Sequence, residues 1–87
     1  MISTYRKKPL IVEALQWTGF NLNEVMGFCP VIRAETELLV SDRFPELFIR
    51  TLEGEMHVSL NDFIIKGVRG EFYACKPDVF WETYDSF

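Results

Sequence analysis

The sequence predicts a small α+β domain, with five to seven short strands in a mostly antiparallel sheet, curled or barrel-like, and two short helices. Three observations lead there. Short apolar runs rich in β-branched and aromatic residues recur along the chain. Turn residues punctuate them at Thr18-Gly19, Glu53-Gly54, Asn61-Asp62 and Gly67 to Gly70. Helix signals occur in two places, before Pro30 and after Lys76. At 87 residues the chain is one domain, 1–87, headed by a basic arm over residues 1–8.

Pro9 to Trp17 (PLIVEALQW) is apolar almost throughout and reads as a strand buried on both faces. Alternation puts Leu10, Val12, Ala14 and Gln16 on one face and Ile11, Glu13, Leu15 and Trp17 on the other. Glu13 is the one charge among them. It needs a partner, a raised pKa or a pocket, unless it stands on an edge strand in water. Asn21 is an N-cap with Glu24 three residues on, and Phe20 and Val25 fall at staple positions. The helix runs over Leu22 to Phe28, because Pro30 closes it. Val31-Ile32-Arg33 and Leu38-Leu39-Val40 read as short strands, and Ser41 to Pro45 as a polar turn.

Glu46 to Leu52 and Glu55 to Leu60 form a hairpin about Glu53-Gly54. In its second strand Met56, Val58 and Leu60 face in, while Glu55, His57 and Ser59 face out. Phe63-Ile64-Ile65 and Glu71 to Cys75 are strands joined by the loop KGVRG. Pro77 takes the first helical position, with Asp78 in the first turn. Val79, Phe80, Thr83, Tyr84 and Phe87 form the apolar stripe of this second helix, and Trp81 points away from it.

Composition narrows the function. The net charge of −4 argues against binding nucleic acid by bulk charge. No apolar run reaches the ~18 residues of a membrane span, and no signal peptide is legible, so the expected place is the cytoplasm. Cys29 and Cys75 fit two reduced, mostly buried thiols, a single disulfide being the other reading. With His57 as the one histidine, the chain lacks four ligands for a structural zinc site, and neither metal nor cofactor is expected. Charge is uneven: Arg6, Lys7 and Lys8 precede every acidic residue.

Two stretches carry a resemblance. One is Tyr5-Arg6-Lys7-Lys8-Pro9, Val12-Glu13-Ala14 and Gln16-Trp17-Thr18-Gly19. The other is Thr51-Leu52-Glu53-Gly54, Asp62, Ile64 to Val68, Gly70 to Tyr73, Cys75 to Asp78, Phe80 and Thr83-Tyr84. Together they resemble a family of short proteins encoded by tailed phages and prophages. Pro30 to Phe48 lie outside the resemblance. The family carries Gly-Asp and then Trp or Tyr where this chain has Asn61-Asp62-Phe63. Asn is the commonest substitute for Gly at a left-handed position, so the turn is expected to survive. Trp81 stands where the resemblance leads one to expect a polar or charged residue. The resemblance implies a phage-encoded accessory protein in the bacterial cytoplasm, and implies no substrate or catalytic residue.

The expected activity is therefore binding without catalysis. In the first reading the protein modulates a host protein through an acidic or aromatic surface, with Trp81 as the contact. In the second, Glu13, Trp17, Lys66, Arg69, Tyr73 and Lys76 form a basic, aromatic-lined pocket for a nucleotide-like anion. The arm would join that pocket if the first strand lies beside the 63–75 hairpin. A third reading makes Glu13 a buried acid near Tyr73 or Glu71, doing acid–base work. A homodimer would bury spare aromatics.

Overall fold

A computed structural model of the chain describes residues 1–35 and 44–86. The expected strand at Leu38-Leu39-Val40, most of the turn after it and Phe87 lie outside the described residues. Six strands and two helices follow in the order β1 (Glu13–Gln16), α1 (Leu22–Phe28), β2 (Ile32–Glu35), β3 (Glu46–Thr51), β4 (Gly54–Val58), β5 (Phe63–Lys66), β6 (Phe72–Cys75) and α2 (Pro77–Thr83). All the strand pairs are antiparallel. They form two three-stranded sheets, β1-β5-β6 (sheet A) and β2-β3-β4 (sheet B), and do not close into a barrel.

Alternation decides what each face of sheet A meets. Leu15 and Ala74 stand directly across from Ile64, and this face turns toward sheet B and α1. There Trp17, Val25, Cys29, Leu47, Ile49, Val58 and Ile64 make the main core, each at most 2 % exposed. On the opposite face Phe63 and Ile65 pack with Phe80 of α2, and Val12, Tyr73, Cys75 and Tyr84 gather round them. Phe63 and Phe80 stack with ring centroids 3.8 Å apart. Sheet A is thus covered by α2 on one side and by sheet B and α1 on the other. Its β6 edge meets sheet B, where the Ala74 N–H donates to Met56 Sδ at 3.2 Å. Its β1 edge has no strand beside it among the described residues.

The local signals act as side-chain chemistry requires. Asn61 adopts the left-handed conformation at φ 73°, which few residues besides Gly tolerate. Its N–H donates to the Trp17 carbonyl at 2.7 Å, and Trp17 N–H donates to the Asp62 carbonyl at 2.9 Å, so this turn fastens the end of β1. Buried Asp62 accepts from Ser59 N–H at 2.9 Å and from Lys76 Nζ at 3.2 Å. Gly19 sits at φ 91° against the Phe44 ring, where a Cβ would lie 2.7 Å from Phe44 Cδ1. Pro77 opens α2.

Several expectations need correction. The Pro9–Trp17 run is not a long strand buried on both faces. Only Glu13–Gln16 pair, because β5 ends opposite Glu13, and Leu10 and Ile11 are exposed. Asn21 makes no side-chain cap. Its Oδ1 instead accepts from Thr18 N–H, and its Nδ2 donates to the Gln16 carbonyl and to Glu24 Oε1, tying the start of α1 to the end of β1. Phe20 does not staple Val25. It stands 86 % exposed, edge-on to Phe44. In the second stripe Phe80 is buried and Tyr84 half-buried, while Val79 and Thr83 are exposed. Val58 is the one residue of its expected trio to be buried, and Met56 and Leu60 are partly open to solvent.

Candidate functional site

Beyond β1 the arm crosses the α2 face of sheet A without regular structure. A cleft of ≈ 510 Å³ opens there. One wall is the arm, with Lys7, Lys8, Pro9, Leu10 and Val12. A second is the tip of the β5–β6 hairpin, with Gly67, Val68 and Glu71, and the floor and far wall are Tyr73, Thr83 and Tyr84. Each part has a local cause. Tyr73 pairs in register with Ile65, which pairs with Ala14, so it shares the face that Val12 and Tyr84 occupy. The hairpin tip is closed by Gly67 N–H to the Glu71 carbonyl at 2.7 Å and Gly70 N–H to the Gly67 carbonyl at 3.0 Å. The Glu71 side chain folds back over Gly67 and accepts from Arg69 N–H at 3.2 Å.

The electrostatics favour an anion. Lys7 Nζ lies 5.1 Å from the centroid of the Tyr84 ring, within cation–π range. No carboxylate pairs with Lys7 or Lys8 among the described residues. The Tyr73 and Tyr84 hydroxyls are 3.4 Å apart, a long and weak hydrogen bond. Burial first, and then Tyr84 and the charge on Glu71, push the Tyr73 phenol up to about 12. It stays protonated at neutral pH and keeps an O–H to donate. The groups that converge here can hold negative charge and pack against a flat or apolar ligand body.

The structure places the residues of the expected pocket as follows. Tyr73 lines the cleft, and the others do not. Glu13 begins β1, exposed, directly across from Lys66. Lys66 pairs with Phe72, which sets it on the opposite face from Tyr73. Arg69 is exposed in the hairpin turn. Lys76 is drawn to Asp62 and Ser59 Oγ. Trp17 is 2 % exposed in the main core and borders a different depression, of ≈ 280 Å³, beside Phe44 and His57. The first strand does lie beside the 63–75 hairpin, and Lys7 and Lys8 of the arm converge with Tyr73. Nothing in the order of residues brings Glu71 and Tyr84 to this pocket, although the helical stripe puts Tyr84 beside Phe80.

Elsewhere several titratable groups are held in pairs or buried. Arg33 forms a bidentate pair with Glu55 at 2.6 and 2.8 Å and lies over the Phe48 ring at 4.5 Å. It holds the Glu55 carboxyl below its usual range. His57 meets Glu46 at 2.5 Å on the outer face of sheet B. Cys29 and Cys75 are free, and burial raises both thiols. Trp81 is 57 % exposed and stands edge-on to Phe63 and Phe80. Among the described residues no group of three His, Cys, Asp or Glu stands together as a metal site. No helix there is long and apolar enough to cross a membrane.

Fold and cleft together define a small α+β scaffold carrying a cationic, tyrosine-walled groove. Compared with known protein families, curated proteins and solved structures, the chain matches none.

Proposed function

We propose that this chain is a non-enzymatic binding protein, an accessory factor of the phage type it resembles, and that its ligand is a small anion held in the arm cleft. The observation that carries this reading is the convergence of Lys7 and Lys8 with Tyr73 and Tyr84 around one cavity. Every lining residue except Leu10 belongs to the two stretches that carry the resemblance. Two ammonium groups against one carboxylate, Glu71, leave the cleft net positive on a chain of net charge −4. A phosphate or carboxylate therefore finds complementary charge here. A nucleotide-like ligand would place phosphate at the lysines and its ring against a tyrosine.

Thermal denaturation with a panel of nucleotides and inorganic phosphate tests this. Ligand at a hundredfold excess over Kd stabilises by about 2.7 kcal/mol, a rise in Tm of roughly 10–20 °C for a domain of this size. The shift should vanish in Lys7→Ala/Lys8→Ala and survive in Lys66→Ala/Arg69→Ala. No shift with any anion, or one lost in the second variant and kept in the first, would sink the reading.

A second reading, modulation of a host protein in the bacterial cytoplasm, draws on Trp81, a large aromatic more than half exposed beside Phe63 and Phe80. It predicts capture of one host protein that is lost on Trp81→Ala and indifferent to Lys7 and Lys8.

A further inference from the structure

The cleft continues past Tyr84. A smaller depression of ≈ 180 Å³ shares Leu10, Val12, Thr83 and Tyr84 with it. To these it adds Ile11, Phe80 and Asp85. The two make one groove between the arm and α2. Lys7 and Lys8 line only the larger hollow, Asp85 lines only the smaller one, and the apolar Leu10 and Val12 line both.

We propose that this groove takes a single-headed amphiphile, a small carboxylate or phosphate carrying an unbranched apolar tail. The proposal rests on the reading of the cleft as an anion site and goes further, by naming the body of the ligand. Charge sets the polarity. The head belongs at Lys7 and Lys8, where no carboxylate partner competes among the described residues. Asp85 opposes a second anion at the other end. Apolar area sets the tail. Leu10 and Ile11 are 49 % and 72 % exposed, yet they border the same depression as Phe80. A tail laid over them removes apolar surface from water on both partners. A polar ring in the same place would lose hydration against Leu10, Ile11 and Phe80 with few groups to replace it.

The experiment is calorimetric titration with butanoate, hexanoate, octanoate and decanoate, with the matching alkyl phosphates and with inorganic phosphate. The two series separate a carboxylate head from a phosphate head. Kd should fall about fourfold for each added methylene until the tail passes Asp85. Decanedioate should bind more weakly than decanoate, and Asp85→Asn should narrow that gap. Ile11→Asp, a change at an exposed position, should flatten the chain-length dependence. Lys7→Ala/Lys8→Ala should weaken every member of both series. If inorganic phosphate or the shortest acids bind and chain length changes nothing, the tail groove is overturned while the anion cleft stands. If the dependence persists in Ile11→Asp, the tail lies elsewhere and the proposal fails. If nothing binds, both readings fall.

Discussion

On one face of sheet A, Leu15, Ile64 and Ala74 press against sheet B and α1, and the space between is filled to Trp17 and Val25. On the other, Phe63, Ile65 and Tyr73 lie under a helix of seven residues, and beyond its end the face stays open as the cleft. The same three strands supply both sides, residue by residue in alternation. The filled side has two layers to close it and becomes core. The other side has one short helix and an irregular arm, which together cannot cover it. What remains is a concavity bordered by long side chains that reach solvent, Lys7 and Lys8 among them. A small sheet with unequal cover on its two faces gains a concavity without giving up its core.

The widest separation of the two sides is in stability. Trp17→Ala removes the largest fully buried side chain and should cost about 3–5 kcal/mol in urea denaturation. Tyr73→Ala, on the open side, should cost markedly less. Equal losses would mean that the cleft face is core after all. A smaller effect is expected at the turn that joins the sides. Asp62→Ala frees Ser59 N–H and Lys76 Nζ together and should cost about 1–3 kcal/mol. A loss within experimental error would show that the turn holds without its carboxylate.

The smallest effect is a slope in pH. The Tyr73 phenol is raised from 10.0 to about 12 in the folded chain, so the folded state holds that proton more tightly than the unfolded one. The resulting stabilisation is complete below pH 10 and is lost as pH climbs to about 12. Tyr73→Phe should flatten that alkaline decline. An unchanged slope would place the cause in another residue.

Much of the fold was legible because short signals met no competition. Pro30 and Pro77 bounded the helices, and the run from Glu46 to Val58 paired as a hairpin with Thr51 across from Gly54. Asn61 took the left-handed place as its chemistry allows. Face alternation placed Val12 and Leu15 on the correct sides. Other features depended on what lay across in space. Lys66 and Tyr73 both flank one loop, yet strand register sends them to opposite faces. Lys76 looked available until buried Asp62 claimed its ammonium. Phe20 had the right spacing for a staple, and a distant ring, Phe44, took it instead. Nothing in the sequence shows that the arm folds back on α2, because a segment without periodic structure leaves no pattern to read.

The groove draws its walls from Lys7 to Val12 and from Thr83 to Asp85. During synthesis the first wall emerges long before the second. Strand β1 has no β5 to pair with until some fifty further residues have been made, as its partners Lys66 to Phe63 show. Such distant pairing is slow to form, because a long loop must close first. A chain cut before Thr83 would keep all six strands and still lack one wall of the groove. The groove is therefore closed by the two segments of this fold that lie farthest apart along the chain, and it cannot form before they meet.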